Sequence, residues 1–555
     1  MSDDLIPVPE TNELTPVATA PVSLLSRQMQ KFLASRTALA PNRLTGQVAT
    51  IRVSETLGAV AYLYERIRNI VEYKNEQVLR RNAIERMLKR LLWERATRDS
   101  QYLAKVLIRE LIWARYLPND SVPKSRTTEV SAIITKYLYF LDLVRTNGAP
   151  VSFSEVRSWI WGVASCEIEE TFDPAVREPY VELMYEWFTD NFAWDTDHVP
   201  EHEQNIQIYL AVHRALTKSD DTILRYHLLL KEVPDWQSNS QELTQALHSR
   251  FFSLYQEIEK HLVFPDRFAL YRIVQKQIAP FKILQLITEK EKENLQAVVS
   301  EANSFEARVR EVCQIRYHDI QSKVNRGIFR SILYIFITKV VFALLIEIPY
   351  ELYRFGTLTY LPLAINVVVP PVMMYIVGLT IRAPGAANTE RILSRLKSIV
   401  YEQGQTNKAL FSLLRIKRGS LLGSFFALIY FILFAFVFGG ITLLLLELNF
   451  TIPGIGIFFA FLSLVLLFGF RVRFTAQELK ITGESENFFS YIFSNLTLPF
   501  LRTGMYLSKG LARINIFTVI LDFLIEAPLK TIIEVFEEWT GFMREKREEI
   551  VEVPE

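Results

Sequence analysis

The fold of this chain is decided by residues 419–470, which read GSLLGSFFALIYFILFAFVFGGITLLLLELNFTIPGIGIFFAFLSLVLLFGF. Glu447 is the one charged residue in this stretch. An apolar run of about 20 residues crosses a hydrocarbon core of about 30 Å as a helix. Lipid offers the backbone no hydrogen-bonding partners, so a spanning segment must satisfy its own backbone groups, as a helix does. The stretch therefore predicts two transmembrane helices, at 420–446 and 452–470.

Two further apolar stretches lie upstream, at 328–349 and 358–381, so four transmembrane helices form two hairpins. Orientation follows from the basic residues, which favour the cytoplasmic side. They cluster before the first helix, between the second and third, and after the fourth: Lys323, Arg326, Arg330, Arg382, Arg391, Arg395, Lys397, Arg415, Lys417, Arg418, Arg471, Arg473 and Lys480. We therefore expect both termini and the 382–419 segment in the cytoplasm, and the protein in the plasma or inner membrane.

Composition excludes little else. The net charge of +1 over 555 residues gives no argument for nucleic acid as a partner. Cys166 and Cys313 match no metal-binding spacing, so we expect reduced thiols in a cytoplasmic compartment. The first residues lack the basic start and apolar core of a secretory signal, so we expect the N-terminus to stay on the side of translation.

The regions outside the membrane block show helical periodicity and no period-two alternation between turn signals, so the fold class is all-α without a sheet. Helices are predicted at Glu76–Glu94 and Ser100–Tyr116. Two longer helices, split near Pro280, are expected to form a coiled-coil-like stalk whose second part, Leu284–Gly327, runs directly into the first membrane helix. The predicted order is a disordered segment (1–40), a large cytoplasmic helical domain (41–265), a helical stalk (266–327), the first hairpin (328–381), a cytoplasmic connecting helix (382–419), the second hairpin (420–471) and a C-terminal amphipathic helical tail (472–555).

The tail contains two apolar runs that are too short to span, Phe488–Leu501 and Ile514–Ile525, and Pro499 interrupts the first. Amphipathic helices in the inner headgroup layer are the expected structure of 486–525, and a re-entrant pair is the alternative. From Leu529 onward, apolar and charged residues occupy opposite sides of a predicted helix that would dock on the stalk or on a partner.

An intramembrane polar site is predicted in the first hairpin. Lys339 lies about 12 Å deep at about 1.5 Å per residue, which marks a functional position unless the side chain snorkels to the headgroups. Asn366 and the Pro370–Pro371 pair predict a second polar spot some 10 Å deeper than Lys339. The prolines are expected to leave backbone carbonyls without donors there, as in the broken helices of transporters. That depth difference argues against a direct pair with Lys339. Glu347 completes the candidate set.

Catalytic and metal motifs are weak. His198 and His202 fit the H-x-x-E-H pattern, but Pro200 fits a first helical turn and leaves His198 outside the helix. Gly454 and Gly456 are expected to allow close helix packing rather than to hold a phosphate. The other histidines are scattered and lack acidic partners at ligand spacing: His213, His227, His248, His261 and His318. We therefore expect no enzyme, no cofactor and no metal site.

Three functional hypotheses follow. The first is a non-enzymatic, membrane-anchored scaffold whose cytoplasmic helices bind a protein partner or self-associate, with the lipid bilayer as its other partner. The second is a channel or transporter component with a polar path through the first hairpin. It would be oligomeric, because four helices per chain are too few to enclose a path. The third is membrane remodelling by the C-terminal amphipathic helices.

Overall fold

The computed structural model is predominantly helical. It describes residues 25–39, 49–53, 62, 65–66, 76–94, 98–146, 152–172, 177–196, 198–291, 294–401, 408–413, 421–481, 488–513, 535, 539 and 542–543. The chain divides into two compact units, one comprising 30–275 with 516–555 and the other 1–29 with 276–515. The residues predicted as a stalk are therefore divided at Lys276, and most of them belong to the unit that contains the apolar helices.

The first unit is built from ten helices within its described residues, one of which, α1, begins just before the unit boundary. They are α1 (Arg27–Leu39), α2 (Glu76–Glu94), α3 (Ser100–Trp113), α4 (Ser125–Thr146), α5 (Phe153–Phe172), α6 (Glu178–Asn191), α7 (Glu201–Leu216), α8 (Asp221–Glu232), α9 (Gln241–Leu262) and α10 (Arg267–Gln275). A three-residue strand, β1 (Phe192–Trp194), and a short 3-10 helix (Pro234–Ser238) complete it. The predicted bounds of α2 are confirmed, and α3 ends three residues earlier than predicted.

Local sequence signals explain where these helices begin. The Asp99 carboxylate accepts hydrogen bonds from the backbone N–H groups of Gln101 and Tyr102, and so caps α3. The Asp220 carboxylate accepts from the Ile223 N–H at the start of α8 in the same way. Between the helices, large side chains fill the core, including the fully buried Trp187 and Trp236.

The second unit contains the apolar helices. Its elements are α11 (Ile278–Lys290), α12 (Leu295–Ser300), α13 (Ala302–Phe342), a π-helical turn (Ala343–Glu347), α14 (Ile348–Phe355), α15 (Tyr360–Thr380), α16 (Ala386–Val400), β2 (Ala409–Phe411), α17 (Leu421–Glu447), α18 (Ile452–Ala476) and α19 (Phe488–Arg513). The all-α fold class is confirmed, although the two three-residue strands were not predicted.

The predicted continuity between stalk and membrane helix is confirmed. Helices α13 and α14 and the π-helical turn between them form one rod, Ala302–Phe355, of 54 residues, which corresponds to about 80 Å at about 1.5 Å per residue. The predicted split near Pro280 is present, since α10 ends at Gln275 and α11 begins at Ile278, with Pro280 in its first turn, where a missing N–H costs little. The predicted second helix, Leu284–Gly327, is not continuous, because it is interrupted between Lys290 and Ala302.

Four helices are long and apolar enough to cross a membrane: Ala302–Phe355, Tyr360–Thr380, Ser424–Glu447 and Ile452–Ala476. They expose large apolar side chains, of which Phe329, Leu345 and Phe436 are each more than two-thirds accessible. Exposed apolar surface of this extent is unfavourable in water and favourable against lipid. The chain is therefore a membrane protein.

Close approach between the apolar helices depends on glycines other than the predicted pair. A Cβ at Gly469 would lie 2.5 Å from Val377 Cγ1, and one at Gly504 would lie 2.4 Å from the Ser463 carbonyl oxygen. By contrast, nothing lies within 4 Å of a Cβ built at Gly456, and one at Gly454 meets only its own helix cap. The expectation that Gly454 and Gly456 allow close helix packing was wrong, because a Cβ built at either position comes within 4 Å of no described atom of a neighbouring helix.

Helix α19 also differs from its prediction. It runs for 26 residues through Pro499, instead of ending near that residue. Phe500 packs with α17 and α18 in one buried cluster, and Gly504 contacts the middle of α18. The position expected for this helix, within the inner headgroup layer, does not account for these contacts. The second predicted short helix, Ile514–Ile525, and the apolar face predicted from Leu529 lie outside the described residues, apart from Val535, Trp539, Phe542 and Met543.

Candidate polar site in the apolar helices

A hydrogen-bonded network joins three of the five residues predicted from the sequence. Lys339 Nζ donates to Glu347 Oε1 at 2.8 Å, and Asn366 Nδ2 donates to Glu347 Oε2 at 2.8 Å. All three side chains are buried, Lys339 completely. The sequence argument against a direct contact between Lys339 and Asn366 agrees with this geometry, since Glu347 bridges the two.

The π-helical turn explains how Glu347 reaches Lys339. In a regular α-helix, residues eight apart point in directions about 80° apart, at about 100° per residue. A π-helical turn inserts one residue, so the two behave as residues seven apart, which share a face. Pro349 follows directly, and it withholds the donor that the Leu345 carbonyl, inside the turn, would otherwise receive. Pro349 is the sequence signal for the π-helical turn, and the prediction of the first membrane helix did not use it.

Snorkelling does not describe Lys339. Its side chain has no accessible surface, and Nζ lies 4.5 Å from the centre of the Phe461 ring of α18. A cation over an aromatic face gains electrostatic stabilisation, most of all where water is absent. The ammonium group is therefore held between a carboxylate and a ring rather than at a headgroup layer.

Pro370 and Pro371 are buried inside α15, which continues through both residues from Tyr360 to Thr380. The expected broken helix is therefore not present. The polar spot predicted near them is supplied by a side chain instead: Asn366 Oδ1 is buried and accepts no hydrogen bond from any residue that the structure describes. An unsatisfied buried acceptor costs about 1–3 kcal/mol, which a bound ion or water would offset.

A cavity of about 70 Å³ lies against this network. Its polar lining includes Glu347, Glu351, Asn366 and Thr451. A water molecule needs about 10–15 Å³ of such space, so the cavity has room for an ion with water. Glu351, which the sequence analysis did not select, is buried and accepts from the backbone N–H of Thr359 at 3.1 Å and from its hydroxyl at 2.9 Å. No cation pairs with Glu351 among the described residues.

In the other unit, the expectation that the histidines lack acidic partners was wrong. His213 and His227 lie side by side, and both are within 4 Å of Glu178. Three helices bring them together, which spacing along the chain cannot reveal. The H-x-x-E-H pattern behaves as expected, since α7 begins at Glu201 and leaves His198 outside the helix.

Comparison of the chain with protein-family models, with curated proteins and with solved structures gave no match.

Proposed function

We propose that the chain is a multi-pass protein of the plasma or inner membrane, with two hairpins and with both termini in the cytoplasm. The distribution of basic residues around the apolar helices supports this topology. The two turns that would face outward carry Arg354 and Glu447 as their nearest charges within α14 and α17.

We propose further that the apolar helices bind a small monovalent cation and act as a component of a channel or transporter. The observation that carries this proposal is the cavity lined by Glu347, Glu351 and Asn366. Lys339 compensates Glu347, whereas Glu351 brings a second buried carboxylate that pairs with no cation among the described residues. Leaving a buried charge unpaired is costly, and a bound cation removes that cost.

The chemistry of the lining favours a hard ion. Carboxylate, amide and hydroxyl oxygens are available, including the unsatisfied Asn366 Oδ1. Oxygen ligands suit hard cations, and one uncompensated carboxylate suits a single positive charge better than two. Sodium is therefore the first ion to test.

The test is ion flux in proteoliposomes that contain the full-length protein. We expect uptake of radioactive sodium above protein-free liposomes, and at least about tenfold lower uptake for Glu351→Gln, which removes the charge but keeps an acceptor for Thr359. Glu447→Gln is the matched control, because Glu447 is exposed at the end of α17. If the protein supports no uptake above protein-free liposomes, it is not a sodium pathway.

The scaffold hypothesis makes a different prediction for the same variants. There the Lys339–Glu347–Asn366 network serves only to hold helices together, and Glu351→Gln changes stability without any cation dependence. Among the described residues of the helical 30–275 unit, the size of the unit is the one feature that favours the scaffold hypothesis. Membrane remodelling by the tail involves residues that are largely outside the described ones.

A further inference from the structure

A cluster of metal-ligating side chains lies in the 30–275 unit, separate from the polar site above. Glu178 is the first residue of α6, His213 lies in the last turn of α7, and His227 lies in α8. Their ligand atoms all lie within 4.8 Å of one another. The cluster is independent of the proposed membrane function.

The distances match those of a tetrahedral metal site. Glu178 Oε2 lies 3.4 Å from His213 Nε2 and 3.6 Å from His227 Nδ1. Zn²⁺ holds nitrogen and oxygen ligands at about 2.0–2.2 Å, so neighbouring ligand atoms in a tetrahedron lie about 3.3–3.6 Å apart. The carboxylate oxygen therefore has tetrahedral spacing to each imidazole nitrogen, and the two nitrogens lie within 4.8 Å of each other.

His213 supplies a second, independent observation. Its side chain is 2% exposed, and neither ring nitrogen forms a hydrogen bond with a residue that the structure describes. A buried imidazole whose nitrogens form no hydrogen bond is costly, and coordination would satisfy Nε2. The other carboxylate oxygen, Glu178 Oε1, accepts from the Tyr209 hydroxyl at 2.7 Å. Hydrogen bonds of this kind orient metal-ligating carboxylates in known sites.

We propose that Glu178, His213 and His227 bind a divalent transition metal ion, for which Zn²⁺ fits the ligand set and spacing best. Three protein ligands leave a fourth position for water or a substrate, an arrangement typical of catalytic rather than structural zinc. Glu178 and His227 retain 25% and 15% of their side-chain exposure, so an ion can reach the site. Lys231, whose Nζ lies 3.4 Å from the centre of the Tyr209 ring, opposes binding by its charge.

The test uses full-length protein in nanodiscs, purified without a polyhistidine tag and treated with a chelator. We expect titration with Zn²⁺ by calorimetry to give one ion per chain, and Co²⁺ to give the visible absorption of a tetrahedral complex. Glu178→Gln and His227→Gln are expected to weaken binding at least about 100-fold, more than loss of a supporting hydrogen bond does. Lys231→Met is expected to tighten binding.

His261→Gln is the matched control, because His261 lies 2.8 Å from Glu203, a pair in the same unit that is not part of the three-residue cluster. It should leave Zn²⁺ affinity unchanged. Circular dichroism checks that each variant folds, and Lys231→Met still tests the proposal if a ligand variant unfolds. Absence of stoichiometric Zn²⁺ binding would overturn the proposal, as would binding that neither ligand variant weakens.

Discussion

Lys339 and Glu347 illustrate how a charge is tolerated between apolar helices. Each is buried, and each satisfies the other at 2.8 Å. Removing one partner of a buried ion pair leaves the other uncompensated and typically costs about 3–5 kcal/mol, whereas replacing both by apolar residues is often neutral. A snorkelling lysine would instead tolerate replacement.

A double-mutant cycle in nanodiscs tests this pairing. We expect Lys339→Leu and Glu347→Leu each to lower the free energy of unfolding by about 3–5 kcal/mol. The double variant should recover most of that loss, with Asn366 the only network member left unpaired. Strictly additive effects would show that the pair does not form.

Glu170 gives a residue-level prediction in the 30–275 unit. Burial raises its pKa from 4.5 to about 7, and the nearby carboxylates Glu167, Glu178 and Glu169 add to this, while the Tyr226 hydroxyl opposes it. Between these two pKa values the folded state binds more protons than the unfolded state, so the free energy of unfolding falls as pH rises from about 4.5 to 7. The loss is on the order of 3 kcal/mol.

The variant Glu170→Gln should remove this pH dependence. We expect it to be more stable than the parent at pH 8 and equally stable near pH 4.5. Tryptophan fluorescence during denaturation reports on the correct unit, because all tryptophans except Trp539 lie between Trp93 and Trp236. Equal pH profiles for both proteins would contradict the assignment.

The residues singled out from the sequence were those that are unusual in their own context. Lys339, Glu347 and Asn366 were selected because polar groups are costly in an apolar stretch. Glu351 was missed because it lies near a helix end, where a carboxylate is ordinary. His213 and His227 were missed because three helices must pack together to bring them close, and a single sequence does not show how its helices pack.

At the scale of helices, the contact between α18 and α19 depends on Gly504. An added Cβ would meet the backbone of Ser463, which cannot move aside as a flexible side chain would. We expect Gly504→Ala to destabilise the detergent-solubilised protein by about 1–3 kcal/mol, the usual cost of overpacking. Thermal unfolding would measure it.

Gly510 provides the control in the same helix, because a Cβ there comes within 4 Å of no atom of the described residues. Gly510→Ala should be neutral or stabilising by up to about 1 kcal/mol, since alanine favours helix. If both variants behave alike, α19 does not pack on α18 in the way described.

Helices were predicted well where the sequence pattern runs along their whole length. The bounds of α2 came from its interleaved apolar and charged residues, and the continuity of α13 with the membrane segment came from the lack of a proline at their junction. The π-helical turn and the passage of α19 through Pro499 were not predicted, because a proline breaks a helix or merely bends it according to its tertiary neighbours.

At the scale of the whole molecule, the topology can be tested by cysteine labelling. Cys166 and Cys313 are both buried, so the background from native thiols should be low. We expect Thr357→Cys to react with an impermeant reagent in intact cells, and Gly385→Cys to react only after permeabilisation, as the basic residues predict. The opposite pattern would invert the topology.

Equilibrium binding of radioactive sodium to the protein in nanodiscs decides whether the apolar helices hold a cation. We expect saturable binding of one ion per chain that Glu447→Gln leaves intact and Glu351→Gln weakens at least about tenfold. Binding no greater than that of empty nanodiscs, or binding that Glu351→Gln does not change, would contradict the proposal.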